Sequence, residues 1–254
     1  TEIFVKEGAA QLLERELSAP NYTPRTIAIG SNTDPYQPLE RRYRVMRQIL
    51  EVLARARHPV AIVTKSALVL RDLDLLAPMA RDGLVKVAIS VTTLDAKLAR
   101  IMEPRAASPA RRLETIEKLS AAGVPVAVMT APIIPAINDD EIETILTRAY
   151  AAGAREAGYI LLRLPHELRQ LFGEWLTAHF PDRAARVLSL IQSTRGGKLY
   201  DSGWGKRMTG DGPYAWAIGR RFEIASKRLG FTSTPLRADL FDPPRKKPQQ
   251  LALF

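Results

Sequence analysis

The chain has 254 residues, 46% of them hydrophobic and 25% charged, with a formal net charge of +10 at pH 7. This size suits one large barrel domain or two small domains, and the composition is typical of a globular protein. The chain contains no cysteine, which excludes disulfides, zinc–thiolate sites and cysteine nucleophiles within it, and no apolar run approaches the roughly 20 residues of a membrane-spanning helix.

The excess of basic residues favours polyanionic partners such as DNA or RNA. The amino-terminal segment is amphipathic and carries several acidic residues, which is unlike a signal peptide, so we expect a cytoplasmic location and no membrane association. The three histidines, His58, His166 and His179, are too scattered in the sequence to indicate a metal site.

Up to about Leu164, short apolar runs alternate with segments of helical periodicity. The expected strands are 27–29, 60–63, 85–91, 124–130 and 157–162. The expected helices are 6–17, 40–57, 73–80, a helix that begins at Ser108-Pro109 and ends at Gly123, and 140–151. This alternation predicts parallel βαβ units. A strand before Lys6 would complete the pattern, so we predict a partial parallel (β/α)6 TIM-like barrel that lacks its first strand.

Beyond Pro165 the pattern becomes helical, with expected helices at 167–179, 183–191 and 214–229. The last stretch is rich in proline and charge before a terminal apolar cluster, which is typical of a flexible tail. We therefore predict a barrel over residues 1–165, a helical carboxy-terminal extension over 166–232 and a flexible basic tail over 233–254.

Polar residues follow each of the first four expected strands. The loops in parallel α/β barrels that follow the strands form the ligand-binding face, so these residues should meet at one edge. Lys65 and Arg105 would suit the carboxylate of an anionic or zwitterionic ligand, and the side chains of Ser31, Asn32 and Ser90 would suit hydroxyl or amino groups. Each group also has a structural interpretation: GSNTDP makes a good turn, Thr92 and Asn138 can cap helices, and Lys65 can be a solvated charge.

The segments GSNTDPYQPLERRYRVMRQIL, VTKSALVLRD, SVTTLD, MEPRAASPARRLETIEKL and GVPVAVMTAPIIPAIND together resemble the radical S-adenosylmethionine (radical SAM) enzymes. The resemblance is to the bacterial branch similar to spore photoproduct lyase. The segment LYDSGWGKRMTGDGPYAWAIGRRFEIASKRLG is similar to the carboxy-terminal part of that branch, so the resemblance extends from Thr1 to about Phe231.

The resemblance implies an enzyme that cleaves S-adenosylmethionine reductively to a 5′-deoxyadenosyl radical, using a [4Fe–4S] cluster and a reductant such as flavodoxin or ferredoxin. It also implies a set of cofactor-binding residues. The motif that contacts the amino group of the cofactor is matched by Gly30, Ser31, Asn32, Thr33 and Asp34. The positions that reach its carboxylate or ribose are matched by Lys65 and Ser90. Arg105 lies in a loop that often places a basic residue near the cofactor, Ile133 and Asn138 match the fifth-strand motif, and Leu161 belongs to the sixth strand beside the adenine.

One departure from the family is large, because its CxxxCxxC cluster motif has no counterpart in this chain. We expect the cluster ligands upstream of Thr1, omitted by truncation, proteolysis or disorder; the alternative is a true loss of cluster chemistry. The hydrogen-donating cysteine of the photoproduct lyase is also absent, so the dimer-splitting reaction does not transfer.

The last five residues resemble the peptide by which bacterial replication and repair proteins bind the sliding clamp, with Gln250, Leu251, Leu253 and Phe254 as the contact residues. Together with the basic charge, this suggests action on DNA, including DNA repair. Two other functions stay open: a non-radical barrel lyase or hydrolase that uses Lys65 and Asp34, and a non-catalytic DNA-associated module tethered to the clamp.

Overall fold

The computed structural model describes residues 5–200, 203 and 205–244, and over those residues it contains five strands and ten α-helices. The strands are β1 (Ile27–Ile29), β2 (Val60–Thr64), β3 (Val85–Ser90), β4 (Val126–Ile133) and β5 (Glu156–Leu161). They form one sheet in the order β1-β2-β3-β4-β5. β1 pairs in parallel with β2, and β4 in parallel with β5. The predicted α/β fold with a parallel five-stranded sheet is therefore confirmed.

The helices that precede β5 are α1 (Ala9–Leu17), α2 (Glu40–Tyr43), α3 (Val45–Arg55), α4 (Leu73–Arg81), α5 (Ala96–Met102), α6 (Pro109–Ala121) and α7 (Ile142–Ala151). The carboxy-terminal helices are α8 (Leu168–His179), α9 (Ala184–Ser193) and α10 (Gly212–Leu229), and short 3-10 turns lie at Ala67–Asp72 and Asp139–Glu141. Three helices beyond β5 agree with the predicted helical extension.

Two helix predictions are corrected by the structure. The single helix expected over 40–57 is two helices, because Arg44 adopts a left-handed conformation with φ of 50° that ends α2 and precedes α3. Helix α5 is absent from the expected helices, although Thr92 was considered as the cap of a helix at this point in the chain. It begins after Asp95, whose carboxylate caps it by accepting hydrogen bonds from the amides of Lys97 and Leu98.

The chain divides into two compact units. Unit 1 contains the chain up to Val87, the short piece Ala122–Pro125, and the segment from Pro235. In it, β1 and β2 pair in the register Ile27↔Val60, and α1 packs on α3. Its core is formed by fully buried aliphatic side chains, among them Leu17, Leu50, Leu53, Ile62 and Leu76.

Unit 2 contains Ala88–Ala121 and Val126–Thr234. In it, β4 and β5 pair in the register Ala127↔Glu156, with an irregularity between Thr130 and Ile133. Helix α10 packs on α7, and α8 packs on α9. Its core includes Ile116, Leu119, Val128, Ile145 and Leu146, all fully buried.

Part of the predicted tail is packed within unit 1. The amide of Arg237 donates to the carbonyl of Gly83 at 2.9 Å, and that of Asp242 donates to the carbonyl of Ala56 at 2.9 Å. The ring of Phe241 lies 5.4 Å from that of His58. The packed chain therefore extends at least to Asp242.

The predicted clamp-binding residues Gln250, Leu251, Leu253 and Phe254 lie outside the described residues, so that prediction stays a prediction. Within the part of the chain that the structure describes, no helix is both long and apolar enough to cross a membrane.

Candidate functional site

The loop after β1 begins at a position that only glycine fits. Gly30 has a φ of +97°, and a Cβ atom there would lie 2.0 Å from the carbonyl oxygen of Val63 in β2. The two strands therefore approach closely where β1 ends, and the chain turns away from the sheet at this residue. The polar residues of the loop follow at the carboxyl end of β1.

Asp34 fixes this loop to the end of β2. Its carboxylate accepts hydrogen bonds from the Thr64 hydroxyl at 2.6 Å, the Lys65 amide at 2.8 Å and the Tyr36 amide at 2.9 Å. The structure thus brings two predicted site residues, Asp34 and Lys65, into direct contact. Because three donors engage its carboxylate, Asp34 is placed to position the loop.

A buried polar network supports the far side of the same loop. The Tyr36 hydroxyl donates to Asp72 at 3.1 Å, and Arg47 and Arg71 also bind the Asp72 carboxylate. Burial, together with the neighbouring Asp72 charge, raises the pKa of Tyr36 far above its usual value. Arg71 further binds the carboxylate of Glu40 at 2.9 Å, which joins the loop to the start of α2. The loop is therefore held at both ends.

Between Gly30 and the anchored Asp34, the loop presents polar side chains that the described part of the chain does not engage. Ser31, Asn32 and Thr33 are exposed, and no hydrogen bond to their side chains occurs among the described residues. With Gly30 and Asp34 they line a cavity of about 440 Å³ in unit 1, whose wall also includes apolar side chains of β1, α3 and the loop before α2. This volume lies within the range of small-molecule sites, which combine apolar walls with a few polar groups.

The remaining predicted site residues lie in unit 2. Ser90 ends β3 and is 6% exposed. Its carbonyl accepts a hydrogen bond from Arg112 at 3.0 Å, and the same guanidinium binds the Glu103 carboxylate at 2.6 Å and the Ala107 carbonyl at 2.8 Å. Arg105 is exposed and lies between Glu103 and Ala107. Arg112 therefore positions both Ser90 and the loop that carries Arg105.

Sequence reasoning missed Arg112, although a signal for it exists. Arg112, Ile116 and Leu119 share one face of α6, and all three are buried. An arginine at a core position of an amphipathic helix indicates a buried charge that needs partners. That pattern marks a residue that organises the surrounding loops.

Asn138 has the corresponding role for the loop after β4. It is fully buried, its side-chain oxygen accepts from the amide of Ile134 at 2.6 Å, and its nitrogen donates to the carbonyls of Thr92 at 2.7 Å and Pro132 at 3.0 Å. Both donors of its amide group are thus engaged within unit 2, and Asn138 ties the β4 loop to the residues after β3.

The structure places Ile133 and Leu161 in the core, where they pair across β4 and β5 and are at most 1% exposed. Their chain neighbours Ile134, Leu162 and Arg163 instead line a cavity of about 330 Å³ in unit 2. Sequence reasoning missed Arg163, whose signal is a single charge within the otherwise apolar run YILLRLP.

A second cavity of unit 2, of about 370 Å³, is lined by Asp139, Asp140, Arg183, Arg186 and Tyr214. The Tyr214 hydroxyl donates to Asp139 at 2.5 Å. Burial, followed by the bond to Asp139 and its charge, raises the pKa of Tyr214 to about 12. This tyrosine therefore stays protonated, and a hydrogen-bond donor, well above neutral pH.

The chain does not fit an iron–sulfur cluster by itself. Such clusters are held by cysteine thiolates, and the sequence contains none. Among the described residues there is also no group of three histidine, aspartate or glutamate side chains placed to hold a metal ion. The predicted cluster therefore depends on ligands outside this sequence.

The radical SAM superfamily is the family whose model matches this chain, over residues 8–149. The uncharacterised protein Rv2578c of Mycobacterium tuberculosis is 36% identical over 194 residues, which cover 76% of this chain and 57% of that protein. The uncharacterised protein MJ0683 of Methanocaldococcus jannaschii is 28% identical over 139 residues, or 55% of this chain and 50% of that protein. The chain thus spans between half and three fifths of the length of these relatives.

Among solved structures, a point mutant of spore photoproduct lyase matches with a TM-score of 0.57 and 16% sequence identity, over 87% of this chain and 61% of that one. Another mutant of the same enzyme, solved with dinucleoside spore photoproduct, matches with a TM-score of 0.53 and 15% identity, over 87% and 62%. Similarity at this identity supports the fold.

Proposed function

Because the chain belongs to the radical SAM superfamily, we propose that the loop Gly30–Asp34 binds the methionine moiety of S-adenosylmethionine. The observation that carries the proposal is the contrast within this loop. Asp34 is fixed by three hydrogen bonds, whereas the neighbouring side chains of Ser31, Asn32 and Thr33 face solvent beside a cavity with no bond among the described residues. A rigid loop with unused polar groups is suited to ligand binding.

The chemistry of these side chains matches the methionine moiety. Hydroxyl and amide groups can accept from an ammonium group and donate to a carboxylate. Lys65 follows β2, its amide donates to the Asp34 carboxylate, and it is the cation we propose for the carboxylate of the methionine moiety. Cofactor binding stays a prediction for the other five residues, Ser90, Arg105, Ile133, Asn138 and Leu161.

The reductive cleavage predicted from the family needs thiolate ligands that this chain does not contain. The proposal for the chain itself is therefore cofactor binding and orientation. A lyase-type radical reaction and the use of a flavodoxin or ferredoxin reductant are proposals for a protein in which those ligands are supplied.

Titration of the protein with S-adenosylmethionine in a calorimeter tests the binding proposal. Removal of one hydrogen bond to a charged group should weaken binding roughly ten- to hundredfold, so Asn32→Ala and Thr33→Val should each raise the dissociation constant by a factor in that range. Thr23→Val is the matched control, because Thr23 is also an exposed threonine of unit 1 but does not line the cavity. Wild-type affinity in both loop variants would contradict the proposal.

We further propose that the substrate is a nucleic acid, as the net charge of +10 suggests. Arg41, Arg42 and Arg44 are exposed at the junction of α2 and α3, and none has a carboxylate partner among the described residues. Exposed arginines free of acidic partners are suited to contacts with phosphate groups, which confer affinity without sequence specificity.

The salt dependence of DNA binding tests this second proposal. In the Arg41→Gln/Arg42→Gln/Arg44→Gln variant, the slope of log affinity against log salt should decrease by about 1 for each phosphate contact that is lost. Arg81→Gln, an exposed arginine of the same unit, is the control. An unchanged slope would refute the role of these arginines. DNA binding without S-adenosylmethionine binding would instead favour a non-catalytic DNA-associated module.

A further inference from the structure

Arg163 is a partly buried cation with incomplete bonding. Its Nη1 lies 3.8 Å from the sulfur of Met208, and its Nη2 donates to the Tyr200 hydroxyl at 3.4 Å. Its Nε is buried and has no hydrogen-bond partner. No carboxylate pairs with this guanidinium among the described residues. The guanidinium carbon also lies 5.9 Å from the centre of the Tyr200 ring, so a sulfur, a hydroxyl and an aromatic ring contact this charge, and no anion of the described residues does.

Arg195 shows that a buried Nε without a hydrogen bond does not by itself indicate a ligand site. The Nε of Arg195 is in the same situation, but its two terminal nitrogens donate to four backbone carbonyls, those of Leu161, Leu162, Lys206 and Arg207. Arg195 is thus a structural arginine. Arg163 has no carbonyl or carboxylate partner of this kind among the described residues, and it lines a cavity.

The rest of that cavity is apolar and aromatic. Its wall includes Ile134, Leu164, Phe172 and Trp175, and the rings of the last two stack at 5.6 Å with an interplanar angle of 21°. Leu168 and Leu171 at its edge are 42% and 54% exposed, so the cavity opens to solvent. Its volume of about 330 Å³ is at the small end of ligand sites.

A ligand that suits this cavity needs two parts. A planar or apolar body would cover the aromatic wall, since base–aromatic stacking tolerates any base. One anionic group would meet the guanidinium, whose fork matches phosphate or carboxylate oxygens. Inorganic phosphate lacks the first part, and a neutral nucleoside lacks the second.

We propose that the Arg163 cavity binds a single nucleotide unit, with the base against the aromatic wall and the phosphate at the guanidinium. The inference rests on the proposed nucleic-acid substrate and assigns one place where part of that substrate is held. The cavity lies wholly in unit 2, whereas the loop proposed to bind S-adenosylmethionine and the arginines proposed to contact phosphates lie in unit 1.

The test is calorimetric titration of the protein with thymidine 5′-monophosphate, thymidine and inorganic phosphate. The monophosphate should bind at least roughly tenfold more tightly than either other probe, because a hydrogen bond to a charged group is involved. Arg163→Gln should abolish that advantage, whereas Arg169→Gln, an exposed arginine on α8 outside the cavity, should preserve it. Leu171→Asp should also weaken binding of the monophosphate, because it places a negative charge at the open edge of the cavity. Leu171 is exposed, so this variant tests the inference without a change in the buried core even if Arg163→Gln does not fold.

Equal binding of thymidine and its monophosphate, or unchanged monophosphate binding in both variants, would overturn the inference. If S-adenosylmethionine displaces the monophosphate in a manner that depends on Arg163, the cavity belongs to the cofactor. If benzoate competes more strongly than the monophosphate binds, the cavity belongs to a carboxylate ligand. Either result would refute the proposal of a nucleotide site. These outcomes are independent of the salt slope of the Arg41, Arg42 and Arg44 variant, so the failure of the inference and of the proposed substrate can be told apart.

Discussion

The ion pair between Arg112 and Glu103 provides the sharpest test of how unit 2 is organised. The Arg112 side chain is 2% exposed and that of Glu103 13%, and their closest atoms are 2.6 Å apart. Replacement of Arg112 by methionine preserves much of the volume but leaves the Glu103 carboxylate without this partner. It also removes the donor from the carbonyls of Ser90 and Ala107.

Loss of one member of a buried pair costs about 3–5 kcal/mol, because the remaining charge stays desolvated. This loss does not exceed the roughly 5–15 kcal/mol by which folded proteins are stable, so we expect Arg112→Met to fold at room temperature with a much reduced stability. At about 2–4 °C for each kcal/mol, its unfolding midpoint should decrease by roughly 6–20 °C. Thermal and guanidinium unfolding followed by circular dichroism measure both quantities.

The neighbouring Arg111 provides the control. It pairs with Glu114 at the same 2.6 Å, but both side chains are exposed, at 48% and 39%. Exposed pairs are worth about 0.2–1 kcal/mol, so Arg111→Met should have a small effect. The Arg112→Met/Glu103→Leu variant removes both buried charges and should be more stable than Arg112→Met alone. If Arg112→Met costs no more than Arg111→Met, the buried network does not hold the loops as we infer.

Three further results are expected. Gly30→Ala should destabilise unit 1 by roughly 2–4 kcal/mol in urea unfolding, since its Cβ would overlap the Val63 carbonyl at a positive φ; a cost below about 1 kcal/mol would contradict that geometry. His58 is buried, and desolvation lowers its pKa below 6.5 despite its bond to a backbone carbonyl. Its contribution to stability is therefore complete above about pH 6.5 and is lost as the pH falls through the folded pKa, so His58→Gln should flatten the acid limb of the stability curve. Asn138→Ala should accelerate hydrogen exchange at the Ile134 amide, which loses its acceptor, and unchanged protection there would refute the role of Asn138.

Several features of this protein follow from local sequence. Alternating apolar runs and helical periodicity predicted the strands and helices because side-chain direction has a fixed period in each. Gly30 and the polar residues after it predicted a loop at the end of β1, and the structure contains it. The break at Arg44 was missed, because an arginine in the left-handed region has no sequence signal comparable to glycine.

Tertiary structure decided what each polar side chain does. Asp34 and Asn138 are engaged by partners 30 and 46 residues away in the sequence, and Arg112 binds a carbonyl 22 residues away. Periodicity within one element cannot specify such partners. It also cannot tell which residues at a strand end enter the core: Ile133 and Leu161, the last residues of β4 and β5, are buried, whereas Ile134 and Arg163 line a cavity. The sequence alone determined the elements and the polar character of their loops. Only the packing of distant segments decided which loop residues are fixed by the chain and which are left for a ligand, because a hydrogen bond depends on distances in space rather than on separation along the chain.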